Sequence, residues 1–387
     1  MRVNKLFYFI IASLIILVGC WDVVNIEERG FIIGSAIDLV DNDDREQREL
    51  MMTNQIVVPA GMISPSLESG SGEEPFLNYT TKGKSIFEME EKMATLSSKI
   101  PYYEHLTVLI ISEDVAREEK LFPQILDTYI RDVNLRRGIK IVVAGEEAKN
   151  ILEFTSPNYK LPSTHVGELL EKSSQQIGFL KPVVAGDIEE FHLKNNSYIL
   201  PYLTTDNYLE YKAGAVFHGL EGKMVGLFNE EEMEGIGMIA GEQTTKVIEF
   251  PYKGETFALD VVRFKSHMAV DSANVDHIKV TLDIEIEGVI KELINQEDLT
   301  NPEVIKSIQQ ATSEYVKNTI ENVINKGQDE FEADVFGIWK LLETKHYQKW
   351  QELKDDWETG KKYFKNVTFD VNVKSEVYST GTTKKTD

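Results

Sequence analysis

A single cysteine in 387 residues, Cys20, rules out any internal disulfide, so whatever this chain folds into must be held by hydrophobic cores. That cysteine sits where an apolar run stops. Arg2 and Lys5 precede the run, which extends from Leu6 to Val18, and Gly19 supplies a small residue just before Cys20. A cationic start, a short apolar stretch and a small residue at the cleavage position are the layout of an export signal. The run falls short of the ~20 residues that span a bilayer, so a permanent transmembrane helix is the weaker reading. The fold is therefore expected to start after residue 19.

Leu17-Val18-Gly19-Cys20 also looks like a bacterial lipobox. In that motif the cysteine thiol receives a diacylglyceryl group, and cleavage before the cysteine exposes its amino group for N-acylation. An ordinary signal peptide with a chance cysteine is the alternative. On the lipobox reading Cys20 is an anchor, and a thioether-linked sulfur is closed to thiol chemistry. The formal charge of −23 becomes more negative still once Arg2 and Lys5 are removed. Such a body is repelled by anionic headgroups and by nucleic acid phosphates, so membrane attachment has to come from lipid and nucleic acid is no partner. One acyl chain binds marginally, whereas two or more make a lasting attachment.

At roughly 100–200 residues per domain, the mature chain has room for two or three domains. Its 42% hydrophobic content, with 15 Tyr and 18 Phe, is that of a globular protein. The spacing predicts strands at Phe31–Val40 and in ELMMTNQIVVPA, a mobile loop in GMISPSLESGSGEEP, and a helix over 85–96 with Ile86, Met89, Met93 and Leu96 on one face. Strand HLTVLIIS, helix AREEKLFPQILDTYI, strand GIKIVVAG and helix EEAKNILEF follow. Continuous Val/Ile strands alternating with amphipathic helices imply a partly parallel sheet. NNSYILPYLTTDN reads as a linker. Beyond it come a hairpin turning at Gly219 and Gly222, an acidic helix, alternating strands in FALDVVRFKSHMAV and HIKVTLDIEIEGVI, a long amphipathic helix after residue 302, and a closing strand NVTFDVNVKSEVY. The fold class expected is α+β, as three mixed α/β domains, each a β-sheet flanked by helices. Their ranges are 20–200 (N-terminal α/β), 201–270 (middle, β-rich) and 271–387 (C-terminal α+β with long helices), after the signal peptide at 1–19.

Candidate chemistry is thin. KGKS at Lys82–Ser85 suggests a phosphate loop, but Asn78 stands where the motif needs glycine and no apolar strand directly precedes it, so a turn before a helix is the better reading. The histidines, His105 and His267 among them, show no HExxH or close pair. No GxSxG elbow is present. Glu230, Glu231, Glu232 and Glu234 could hold a cation but fit better as a solvated helix start. Arg131, Arg136 and Arg137 fit local salt bridges. No catalytic set, metal site or cofactor site emerges, and the chain is read as a non-enzyme.

Three of the four tryptophans, Trp339, Trp350 and Trp357, lie close together in ADVFGIWKLLETKHYQKWQELKDDW. Helical spacing puts Trp350 and Trp357 on one face. Either all three pack inside their own domain, or they form a partner-binding patch rimmed by Lys349, Lys354, Asp355, Asp356 and Glu358.

From end to end the mature chain resembles the Ger(x)C lipoprotein family, the C subunits of bacterial spore germinant receptors. The resemblance runs through GCWDVVNIEERGFIIGSAID, YIRDVNLRRGIKIVVAGEEAKNIL and the hairpin AGAVFHGLEGKMVGLFNEEEMEGI, then ADVFGIWKLLETKHYQKWQELKDDW and FDVNVKSEVYSTG. HGLEG departs from the family's basic turn by being longer and richer in glycine. The resemblance implies three α+β domains around β-sheets. It also implies a non-enzymatic receptor component on the outer face of the spore inner membrane of an endospore-forming bacterium, beside an A-type subunit with soluble domains and a transporter-like B-type subunit. Whether a small-molecule germinant touches this subunit does not follow. A solute-binding lipoprotein feeding a membrane transporter is the competing reading, with the same anchor and size. Such proteins close two similar lobes on a cleft, whereas these segments are dissimilar.

Overall fold

The computed structural model describes residues 25–40, 48–63, 74–131, 135–176, 181–241, 247–275, 277–293 and 298–378. Cys20 and the run Leu6–Val18 lie outside them, as does most of the loop expected in GMISPSLESGSGEEP. Among the described residues no helix is long and apolar enough to cross a membrane.

Among the described residues the first sheet has nine strands: β1 (Arg29–Leu39), β2 (Leu50–Val57), β3 (Phe76–Gly83), β4 (Ile100–Tyr102), β5 (Val108–Ser112), β6 (Lys140–Ala144), β7 (Tyr198–Thr204), β8 (Glu210–His218) and β9 (Lys223–Phe228). Their order is β3-β2-β1-β5-β6-β7-β8-β9, with β4 beside β1. The middle, β1-β5-β6-β7, is parallel, and antiparallel strands continue it on both sides. Parallel strands need helical crossovers, and those crossovers cover the faces. The helices are α1 (Pro59–Ile63), α2 (Ile86–Leu96), α3 (Glu113–Arg117), α4 (Leu121–Arg131), α5 (Ala148–Glu153), α6 (Pro162–Gln176) and α7 (Ala185–Lys194). Every residue of β5 is buried, with Ile110 in the core on one side and Ile111 in the core on the other.

The second sheet is β10 (Val247–Tyr252), β11 (Glu255–Asp271), β12 (Lys279–Leu293) and β13 (Thr368–Tyr378), in that order. Its strands alternate: Val280, Leu282, Ile284 and Ile286 are buried, whereas Lys279, Asp283 and Glu285 are exposed. The covered face packs on α9 (Pro302–Lys326), whose buried stripe includes Ile308, Val316, Ile320, Val323 and Ile324. α8 (Glu230–Ala240) crosses α9 at Gly235, where a β-carbon would come within 2.8 Å of Val323.

The mixed α and β class stands as expected, but the described residues build two sheets where three sheet-bearing units were expected. The expected divisions fall inside elements: residue 200 lies within β7, and residue 270 lies within β11, which pairs with β12 along most of its length. The expected linker NNSYILPYLTTDN contains β7, paired with both β6 and β8. One core is continuous from Val142 and Ile151 of the first sheet's layer through Phe228 and Phe331 to Ile284 and Val371 of the second. The expected helix AREEKLFPQILDTYI is two, α3 and α4, parted at Lys120 with φ of 58°.

Candidate functional site at the junction of the two sheets

α9 runs into a wide π-type turn, Gly327–Phe331, and the chain then reaches Asp334, which is fully buried. A buried carboxylate has to be matched by donors, and Asp334 has four. Its oxygens accept backbone N–H groups from Phe336 (3.2 Å), Ile338 (3.3 Å) and Trp339 (2.7 Å), and the indole N–H of Trp357 (3.0 Å). Two of those amides open α10 (Ile338–Lys345), so Asp334 caps that helix from a distance. Gly337 makes the entry in the left-handed region, φ 79°, where other residues are strained. This is the physical content of the string Asp334-Val335-Phe336-Gly337.

Glu358 completes the junction. It accepts the Asp334 N–H (2.6 Å) and the Ser197 hydroxyl (2.7 Å), and Ser197 in turn accepts the Gly219 N–H (3.0 Å). The C-terminal helices are thereby tied to the start of β7 and the end of β8. Burial pushes the Glu358 carboxyl up to about 8, against the donors that favour its charged form, and also pushes Asp334 up. His218, whose Nε2 lies 3.9 Å from Glu358, is held below its ordinary range by burial. The Asp334 and Glu358 carboxyl groups are both engaged in holding structure, and the arrangement fixes two regions against each other.

The three tryptophans gather at this junction and are buried: Trp339, Trp350 and Trp357 are 6%, 5% and 3% exposed. Trp350 belongs to α11 (Tyr347–Leu353), and Trp357 follows the short turn Lys354–Asp356 that ends it. Their rings meet edge to face at 5.7 Å, and Trp339 meets Phe191 of α7 at 6.4 Å. Of the two readings the sequence left open, packing inside the protein describes where the rings are. Partner contact would have to use the surface beside them. The charged rim is partly as expected, with Lys354 and Asp355 exposed and Lys349 and Asp356 half-buried, but Glu358 is interior. Beside the cluster lies a cleft of about 370 Å³ between α7 and α11, lined among others by Leu193, Asn196, Leu220, Gln351, Lys354 and Asp355. Asn196 is buried, and its side-chain N–H group has no protein partner.

The other sequence candidates do not join this site. KGKS is the turn from β3 into α2, with Ser85 accepting the Glu88 N–H as helix cap, and β3 is the strand the sequence reading did not see. In the acidic group, Glu232 and Asn229 form a capping box, Lys326 pairs with Glu232 at 2.8 Å, and burial lifts Glu234 to about 7. Among the described residues no group of three or more His, Cys, Asp or Glu is placed to hold a metal. Arg131 pairs with Asp127 at 2.6 Å and Arg137 with Glu189. His267 lies on the open side of β11, and His105 packs against Phe31 and Tyr102. Sequence reasoning missed the roles of Asp334, Glu358 and Ser197. The signal available was an acidic residue three positions before a glycine at a helix start.

Comparison with known proteins places both regions in one context. Residues 22–205 match the family model described as spore germination protein N-terminal domain, and residues 212–381 match that described as spore germination B3/GerAC like, C-terminal. The chain is similar to spore germination protein A3 of Bacillus subtilis (strain 168), 28% identical over 99% of each chain. It is also similar to spore germination protein YndF of that strain, 27% identical over 93% of each, and to spore germination protein KC, 24% identical over 95% of this chain and 94% of that one. Among solved structures, the crystal structure of the GerBC protein aligns with a TM-score of 0.61 at 17% identity, covering 88% of this chain and 97% of that one, a likeness of fold.

Proposed function

The chain belongs to the GerAC family of spore germination proteins, and on that premise we propose that it is a non-enzymatic subunit of a nutrient germinant receptor. It is held to the outer face of the spore inner membrane through lipid on Cys20. Its partners are an A-type and a B-type membrane subunit. The observation that carries this reading is the match of both regions, in order, to the two models of one family, with relatives matched along nearly their whole length. The buried junction supports a structural role, because its carboxylates are consumed in fixing the C-terminal helices to the first sheet. Partner contact at the tryptophan region then falls to the surface that Trp339, Trp350 and Trp357 hold in shape.

The test is purification of the tagged protein from spore membranes in mild detergent, paired with deletion of its gene. Co-purification of A- and B-type subunits, and spores that lose a nutrient response while still responding to non-nutrient triggers, are expected. Co-purification with an ATPase and a permease, with all nutrient responses intact, would restore the transporter reading.

A further inference from the structure

The described chain starts at Asn25, only five residue steps from Cys20, and at no more than about 3.6 Å per step those five bridge roughly 18 Å. If Cys20 carries the lipid, the corner of the protein around Asn25 cannot leave the neighbourhood of the bilayer. That corner is unusual in what it exposes. Ile26, in the turn Ile26–Glu28, is 71% exposed; Leu96, at the end of α2, is 56% exposed; Ile100, in β4, is 52% exposed. Strand pairing brings them together: β4 runs beside β1 with Ile100 opposite Arg29, and only Ser97, Ser98 and Lys99 separate Leu96 from Ile100. The Lys99 ammonium donates to the Glu27 carbonyl, which pins the turn carrying Ile26 against the same place.

Half-exposed aromatic and cationic groups accompany the aliphatic ones. The Arg29 guanidinium lies 4.3 Å from the centre of the Tyr102 ring, and Tyr102 meets Phe31 edge to face at 5.7 Å. Aliphatic tips with Tyr and Arg or Lys behind them are what a headgroup–acyl boundary accommodates: apolar groups enter, amphipathic rings sit at headgroup level, and long cations reach back to water. Glu27, Glu28 and Glu104 share the corner, so net attraction to anionic lipid does not drive the contact.

We infer that the corner formed by Ile26, Leu96 and Ile100 is a membrane-docking face that dips into the lipid surface and fixes how the anchored protein stands on the bilayer. The inference rests on the lipid-anchor reading of Cys20 and adds an orientation that an anchor alone does not supply. A free tether lets the body tumble, whereas a seated corner presents the remaining surfaces at set heights to membrane-embedded partners.

The experiment uses the mature lipidated protein in phosphatidylcholine vesicles whose acyl chains carry bromine, a short-range quencher of indole fluorescence. Trp21 is first replaced (Trp21→Phe), and a reporter is placed by Ile100→Trp or, as control on the second sheet, by Val262→Trp, a position 65% exposed. At least twofold stronger quenching of the residue-100 reporter than of the residue-262 reporter is expected, with the same ratio when a third of the lipid is phosphatidylglycerol. Equal quenching at the two positions overturns the docking face, and quenching that needs anionic lipid overturns its apolar basis. Vesicle flotation and the mass of the N-terminal peptide separate the two levels of failure. Protein that does not float and lacks the lipid mass has lost the anchor reading, whereas protein that floats unquenched has lost only the face. Protection of residue 100 in spore membranes but not in pure lipid vesicles assigns the corner to a protein partner and likewise overturns the proposal.

Discussion

The two sheets solve the same burial problem in opposite ways. In the first, β5 is packed on both faces, so neighbours such as Ile110 and Ile111 belong to different cores. In the second, α9 covers one face and the other stays in water, so Ile284 is buried while Glu285 beside it is paired with Lys265 on the open side. Between them lies the polar junction, which belongs to neither pattern. What the difference teaches is where each region is vulnerable: the first sheet at every position, the second at every other one, and the junction at a few carboxylates.

The largest effect is expected at the junction. Asp334→Ala removes the acceptor of three backbone N–H groups and an indole N–H, all in the interior. Stranding buried donors costs about 1–3 kcal/mol each when none can relax to water. A loss of about 4 kcal/mol or more is expected in urea unfolding, near the exceptional end for one substitution. Asp334→Asn, which keeps an acceptor oxygen, should recover part of it. A loss under about 1 kcal/mol for Asp334→Ala would mean that the C-terminal helices are held by apolar packing alone.

The contrast between sheets is tested next, by neighbouring pairs. Ile110→Ala and Ile111→Ala should each cost about 2–5 kcal/mol, since each empties a different core. In β12 only one of two neighbours should matter, with Ile284→Ala in that same range and Glu285→Ala within about 0.5 kcal/mol. If Glu285→Ala matched Ile284→Ala, the open face would be covered in solution, and the comparison would fail.

A pH series probes the junction, with Glu358→Gln separating its contribution from that of the sheets. The Glu358 carboxyl stands at about 8 when folded against an ordinary 4.5, so over that interval the folded chain holds a proton the unfolded chain has released. Stability from this group is complete below about pH 4.5 and is lost as pH climbs through about 8. At 1.36 kcal/mol per pH unit, a fall of about 2 kcal/mol between pH 6 and pH 8 is expected. Glu358→Gln should flatten that part of the curve. Some slope should survive, because burial also raises Glu234 to about 7 and Asp38 to about 6. An unchanged slope in the Gln variant would place the titration elsewhere.

How legible this was in the sequence follows from the same contrast. Continuous apolar runs in β5 and β6, alternation in β11 and β12, and the helical period of α9 announce themselves because one physical rule, burial, writes each residue. The sequence pattern does not show α6 or α7: α6 buries Val166 and Leu170 among Ser, Gln, Glu and Lys, too few apolar groups to set a period. β7 falls inside the stretch that reads as a linker, and Pro201 in its middle is a residue that argues against a central strand. The parallel ladder from β6 reaches only Tyr202 and Leu203, which leaves Pro201 beyond its end. Asn54 and Gln55 in β2 are wholly buried, with Asn54 donating to Tyr103 and Gln55 to the Leu152 carbonyl, partners about fifty and a hundred residues away that no local pattern reveals. The junction was hidden for the same reason. Glu358 sits in a run of charges and reads as rim, and only its meeting with Ser197 and the Asp334 amide, across long loops, makes it interior.

The smallest effect is the one that decides whether the second sheet's outer face is free. Arg263 and Glu287 lie opposite each other on β11 and β12 and pair at 2.9 Å, with Arg263 about half exposed. Water screens such a pair, and holding two long side chains in one geometry costs entropy, so exposed pairs are worth about 0–1 kcal/mol. A double-mutant cycle with Arg263→Ala and Glu287→Ala should give a coupling of a few tenths of a kcal/mol, fading as salt approaches 1 M, where the Debye length falls to about 3 Å. Charge sharpens the expectation. On a chain of net charge −23, Arg263→Ala deepens the imbalance and Glu287→Ala relieves it, so the single variants should differ in sign more readily than in size. A coupling above about 2 kcal/mol that persists in salt would be the mark of a desolvated pair, and the face that distinguishes the second sheet from the first would then be an occupied one.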